Sequence, residues 1–293
     1  AGLGDLITGV PWLAELAGEA TVTLSLTLTD AGPARTIQVR CAAASWRGVR
    51  LGDLELNLTA PAGPSSVTVE ARLIGALVDA RAQLRLQASL DPLSRALRWH
   101  PGPMDLHLNV RRLNLGLLSE RLPTLALSGR LVADLRVWGA SKAPQVDLDL
   151  RADDLRWRLR KVGTLQARWH HAGAESQLGL LWQVGEIQRA ALDAVLPVDL
   201  SAHGPTLAWR EGGKHRLRLT APRLTPETLL PIWQPPVGVD FDAALDASAD
   251  GPLAGLKGVA TLRGWHSSRG GKRHKLEVQL SAIPGQQRLD LLL

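Results

Sequence analysis

An alternation of apolar and polar residues, repeated along nearly the whole chain, limits the folds open to it more than any other feature. Val22, Leu24, Leu26 and Leu28 alternate with Thr23, Ser25 and Thr27; Leu54, Leu56 and Leu58 alternate with Glu55, Asn57 and Thr59. The same beat returns at Leu84–Leu86–Ala88, Leu106–Leu108–Val110, Leu178–Leu180–Trp182, Leu217–Leu219–Ala221, Val239–Phe241–Ala243–Leu245 and Leu276–Val278–Leu280. Successive side chains of a β-strand point to opposite faces, so period two gives one dry face and one wet face. A helix would put Asp147 and Asp149 on the same faces as Leu148 and Leu150. Leu, Ala and Arg favour helices, but propensity is a weak prior against so regular a pattern. The chain reads as all-β.

Turn residues punctuate the pattern: "DAGPA" at 30–34, "APAGPSS" at 60–66, "HPGP" at 100–103, "WREGGKH" at 209–215 and "ADGPLAG" at 249–255. Spacings of roughly eight to twelve residues mark antiparallel hairpins, on the order of fifteen or more strands in all. Three stretches read as short connector helices. They are 11–18, 114–123 and 225–233, the last with Thr225 as N-cap and Pro226 at the first helical position.

A sheet with one apolar face cannot leave it in water, since each exposed Leu or Val costs about 1.5–3 kcal/mol. No amphipathic helix here is long enough to cover so many strands. The sheet must therefore fold on itself as a sandwich, a barrel or a trough. Ten tryptophans, one Phe (Phe241) and no Tyr are unusual core fillers. That inventory is compatible with an unfilled middle, although leucine alone can pack one closed.

With 293 residues, 45% hydrophobic and 21% charged, the chain belongs with globular proteins. It begins at Ala1 and stops at "RLDLLL", and reads as a piece of a longer chain. Cys41 is the only cysteine, which excludes an internal disulfide and a multi-cysteine metal site. The net charge is +6, with arginines interleaved among aspartates along strands, as on a solvated face. Only "WHSSRGGKRHK", Trp265 to Lys275, concentrates basic residues, and its Gly and Ser content marks a turn.

No chemistry-bearing constellation stands out. Histidines at 100, 107, 170, 171, 203, 215, 266 and 274 lack metal-ligand spacing, and "WHH" at 169–171 has no carboxylate before Glu175. Asp153 and Asp154 are adjacent, so strand geometry sends them to opposite faces; the apolar phase also slips there, which marks a bulge or tight turn. With no phosphate-cradling loop and no nucleophile elbow, neither an enzyme nor a cofactor or metal is expected. Nucleic-acid binding is not expected either, for want of a groove-reading helix.

"RRLNLGLLSERLPTLALSGRLVADLRVWG" (Arg111–Gly139) can be laid over "PRLTPETLLPIWQPPVGVDFDAALDASADG" (Pro222–Gly251) as an internal repeat. It divides the sequence into segments 1–110, 111–221 and 222–293 of one elongated sheet. The hairpin pattern Gly129, Leu131, Ala133, Leu135, Val137, Gly139, Pro144, Val146, Leu148, Leu150 resembles the one that recurs in the translocation-and-assembly-module family, TamB, of the wider AsmA-like group. "LGDLELNLTA" at 51–60 and "ADDLRWRLRKVGTLQARW" at 152–169 are in the same style; the second copy departs from it, with Pro252 directly after Gly251.

The resemblance implies a curled antiparallel sheet forming a trough with an apolar interior. It implies a periplasmic protein, anchored to the inner membrane through a segment outside this piece. Such a protein conducts phospholipid acyl chains between membranes, with an outer-membrane barrel like TamA as partner. The expected lining comprises Leu131, Ala133, Leu135, Val137, Val146, Leu148, Leu150, Leu155, Trp157, Leu159, Leu178, Leu180, Trp182, Val239, Phe241 and Leu245. Two alternatives fit the alternation: a non-conducting β-solenoid scaffold or adhesin, and an outer-membrane β-barrel, which would want Tyr and Phe at its interfaces.

Overall fold

The computed structural model describes residues 16–29, 32–46, 49–60, 66–90, 97–99, 102–121, 126–158, 160–201, 206–210, 212–226, 240–252, 257–267, 273–283 and 286–292. Among them are nineteen strands and one helix. The chain is all-β: seventeen strands belong to one large antiparallel sheet whose order of pairings is not closed. It divides into two compact units, Ala1–Leu148 with Ser201–Pro205, and Asp149–Leu200 with Thr206–Leu293.

In the first unit, β1 (Leu16–Thr29), β2 (Gly32–Trp46), β3 (Val49–Ala60), β4 (Ser66–Ile74), β5 (Val78–Leu90), β7 (Pro103–Asn114) and β8 (Leu127–Ala140) pair in sequence order. Short β6 (Leu97–Trp99) pairs with the end of β5. Between β7 and β8 lies α1 (Leu115–Arg121). β9 (Ala143–Trp157) starts in the first unit and finishes in the second.

The second unit continues with β10 (Arg160–Ala172), β11 (Glu175–Val184), β12 (Ile187–Leu196), β15 (Lys214–Leu224), β16 (Asp240–Pro252), β17 (Lys257–Ser267), β18 (Arg273–Ile283) and β19 (Gln286–Leu292), again neighbour to neighbour. β13 (Val198–Ser201) and β14 (Thr206–Trp209) form a separate two-stranded sheet.

Register converts alternation along each strand into apolar rows across strands. In the first unit one row runs Ile37, Leu58, Val69, Leu84, Leu106, Val137, and the next runs Val39, Leu56, Ala71, Ala82, Leu108, Leu135. In the second unit a row runs Ala167, Leu180, Leu192, Leu219, Ala247, Ala260, Leu280. A slip of one residue would turn a whole row into water, so burial of these faces fixes the register.

Four strands slip phase near their C-terminal ends, each over a buried or half-buried pair three residues apart. In β2 the pair is Cys41 and Ala44, with Ala43 at φ 52 and its N–H donating to Asp53 Oδ1 at 3.0 Å. In β7 it is Val110 and Leu113, in β15 Ala221 and Leu224. In β9 Ala152 and Leu155 are buried, and Asp154 takes φ 51. The Asp153–Asp154 slip is therefore a bulge and not a turn, and β9 runs on to Trp157. Each bulge sends the two intervening residues to the wet side and returns the apolar phase to the dry side.

The helix α1 covers one end of the first unit's dry face. Asn114 Oδ1 caps it, accepting from the N–H groups of Gly116 (3.0 Å) and Leu117 (3.2 Å). Leu117 and Leu118 then pack with Leu51, Leu73 and Leu113 around buried Leu77 and Val78. The helix expected at 114–123 is thus present over Leu115–Arg121. Of the helix expected at 11–18, residues 11–15 lie outside the described residues, and Leu16–Gly18 open β1. The third, 225–233, lies almost wholly outside the described residues.

Candidate functional site

The two faces of the sheet differ in chemistry. On the wet side charges pair across strands: Arg40 with Glu55 at 3.2 Å, Arg136 with Asp105 at 3.4 Å, Arg168 with Asp149 at 3.1 Å, and Arg263 with Glu277 at 3.2 Å. His107 and Asn109 converge on Asp134, at 3.0 and 2.7 Å. These groups are largely exposed, and exposed pairs of this kind contribute roughly 0.2–1 kcal/mol each. The interleaved arginines therefore form a solvated, mostly neutralised face.

The dry side is only partly dry. Val67 and Leu86 are buried, packing with Leu58, Val69 and Leu84, and the cluster under α1 is buried too. Elsewhere the apolar rows are mostly only half-buried, and Leu280 retains 49% of its surface. In the second unit an apolar depression of about 550 Å³ lies across β12, β15, β16, β17 and β18. Its floor includes Leu192, Leu217, Leu219, Ala247, Ala260 and Leu280.

The residues expected to line this surface fall as follows. Leu131, Ala133, Leu135 and Val137 of β8 are half-buried and pair with the apolar residues of β7. On β9, Val146 (2% exposed) and Leu155 are buried, while Leu148, Leu150 and Trp157 are half-buried. Leu178, Leu180 and Trp182 face Trp169, Ala167 and Leu165 of β10. Trp182 also anchors its rim by donating from Nε1 to the Val162 carbonyl at 2.7 Å. Phe241 and Leu245 share β16 with the depression. Leu159 and Val239 lie outside the described residues.

Within the second unit the best-formed part of the surface was not singled out from sequence. Leu192, Leu217, Leu219, Ala247, Ala260 and Leu280 carry the same period-two signal as the chosen residues. Only the register reveals that they converge. Among the aromatics, Trp138 stands on the wet side, paired with Asp105 in register and with Arg136 5.2 Å from its ring.

Catalytic and metal candidates do not assemble among the described residues. No three His, Cys, Asp or Glu side chains converge as ligands. In the "WHH" cluster His170 is exposed and His171 is buried on the opposite face, its Nδ1 2.8 Å from Ser176 Oγ. Asp153 is held by Arg151 at 2.8 Å. Burial first, and then the charge of Asp53, push the Cys41 thiol above its usual range. None of these groups opens on the apolar depression. Comparison with family models, with curated proteins and with solved structures found no match to this chain.

Proposed function

We propose that the dry face holds and conducts phospholipid acyl chains. The observation that carries this reading is a sheet face of aligned Leu, Ala and Val rows that stays only half-buried, hollowed in the second unit into an apolar depression of about 550 Å³. That volume falls within the range of about 300–1,000 Å³ common for ligand sites. On its floor Ala247, Ala249 and Ala260 lie between Leu217 and Leu219 on one side and Leu280 on the other, a shallow strip that acyl chains would fill. A water-filled apolar surface is unfavourable at roughly 25 cal/mol per Å², so an apolar ligand gains what a missing protein layer would have supplied. An open order of pairings weighs against a closed barrel.

On this reading the chain works in the periplasm between two membranes, with a TamA-like outer-membrane barrel as its partner. No helix among the described residues is long and apolar enough to cross a membrane. The strand alternation supplies its own control. A photo-cross-linking side chain at Leu219, on the dry face, should capture phospholipid in cells, and one at Arg218, on the wet face, should not. Leu219→Asp or Leu148→Asp should lower the phospholipid that co-purifies several-fold while the circular dichroism of the sheet persists. Equal capture at both positions, or a lipid-free wild-type preparation, rules the reading out.

A further inference from the structure

The basic stretch from Trp265 to Lys275 has no part in holding acyl chains; within it the structure describes Trp265–Ser267 and Arg273–Lys275. β17 and β18 pair from Ser267 with Arg273 through Trp265 with Lys275 to Arg263 with Glu277. This puts Arg263, Trp265, Arg273 and Lys275 on the wet face near one hairpin end. An indole there has no core to fill. The Arg273 guanidinium lies over it instead, 4.4 Å from the ring centroid.

Glu277 accepts from Arg263 at 3.2 Å and from Lys275 at 3.3 Å, and Asp242 accepts from Arg223 at 2.9 Å. Arg273 pairs with no carboxylate among the described residues. With Asp240, which lies opposite Ser267 on the same face, four cations stand beside three carboxylates, one of the guanidiniums held on an indole face.

The antiparallel order carries the same edge of the second unit through the β9–β10 and β11–β12 turns. At the first, Arg158 lies 5.2 Å from the Trp157 ring, and Arg160 and Lys161 are exposed beside it. At the second, Ile187 is 51% exposed next to the turn.

We infer that this strand edge of the second unit docks on an anionic phospholipid surface. Tryptophan has an apolar body and a polar N–H, and concentrates at the level of lipid headgroups. Arginine and lysine beside it reach phosphate oxygens, and each basic residue near an anionic leaflet adds attraction that salt screens. Ile187 is an apolar side chain placed to enter the interface. A soluble polyanion would engage the cations but has no use for the indoles or for Ile187, so the combination favours a bilayer.

This inference is separate from acyl-chain conduction, because surface binding and lipid content are read by different measurements. Flotation of the purified chain with vesicles of phosphatidylglycerol and phosphatidylcholine (about 3:7) should recover most of the protein at low salt and little at 0.5 M NaCl, as expected for screened attraction. Pure phosphatidylcholine vesicles should recover little at either. Arg273→Glu with Lys275→Glu should cut the recovered fraction at least fivefold, and Trp265→Ala about threefold, with strand content and co-purified lipid unchanged. Arg136→Glu, on the wet face of the first unit, serves as a charge-reversal control at a distant site and should leave flotation as in the wild type. Equal binding to neutral vesicles, no loss in the double variant, or tight binding of heparin without vesicle binding overturns the proposal.

Discussion

His171 has 0% of its surface exposed, and its Nε2 has no hydrogen-bond partner among the described residues. Burial is the main cause that pushes its pKa below the usual histidine range, with exposed His170 adding to it and Asp199 opposing it. The folded state therefore holds the neutral ring, whereas the unfolded chain takes up a proton near pH 6.5. The stability tied to this neutral state is fully present above the unfolded pKa and is lost as pH falls through the folded one. Urea titrations between about pH 5 and 7 should find the unfolding free energy dropping on acidification by up to about 1.4 kcal/mol per pH unit for this one proton. His171→Gln should flatten that slope, whatever it does to stability at pH 8. Glu277, lowered by its hydrogen bond and charge pairing with Lys275 and then by Arg263, acts only at lower pH and leaves this window clear. The sequence drew attention to "WHH" but could not tell the two histidines apart. Alternation puts them on opposite faces, and only the register with Ser176 makes one of them buried.

At the level of strands and turns, alternation was legible and its interruptions were not. Strand identity needs only the local pattern, so the all-β reading, the hairpins and the short helix after Asn114 were all available from sequence. The bulges carry a signal too, buried–x–x–buried, in "CAAA", "VRRL", "ADDL" and "APRL". Only the third was recognised, because the others look like ordinary strand ends until a partner strand exposes the shift. The bulges also bear on the internal repeat. Val110 and Leu113 in one copy, and Ala221 and Leu224 in the other, slip at matching places, and each copy then reaches a turn glycine with positive φ, Gly139 at 100° and Gly251 at 128°. The same slip in β2 and β9, outside both copies, makes it a recurrent strand-end device of this sheet that leaves the repeat untested. What could not be read is which apolar residues α1 would cover, since that depends on packing across β3, β5 and β7. Removing its cap with Asn114→Ala leaves the Gly116 and Leu117 N–H groups without that acceptor. Such a loss costs about 1 kcal/mol, seen as a lower urea midpoint at unchanged slope. A variant as stable as the wild type would mean that tertiary packing alone holds the helix.

For the molecule as a whole, stability has an unusual origin. Surface ion pairs are numerous but exposed, so high salt should change it little. The buried apolar residues described are few, five of them alanines (Ala44, Ala152, Ala194, Ala221 and Ala243), and many leucines of the dry face are only half-buried. A protein built this way leaves part of its hydrophobic stabilisation to whatever occupies that face. A ligand that binds only the folded state stabilises by RT ln(1 + [L]/Kd), about 2.7 kcal/mol at a hundredfold excess over Kd. For a domain of 150–250 residues each kcal/mol moves Tm by about 2–4 °C. Delipidated protein should therefore melt several degrees higher when short-chain phosphatidylcholine is added below its micellar concentration, and the gain should shrink in Leu219→Asp. Raising NaCl to 1 M should move Tm by less than either change. A closed, self-sufficient scaffold would give the reverse, with no response to lipid and an undiminished Tm after delipidation, so calorimetry on one preparation separates the two accounts of what these leucines face.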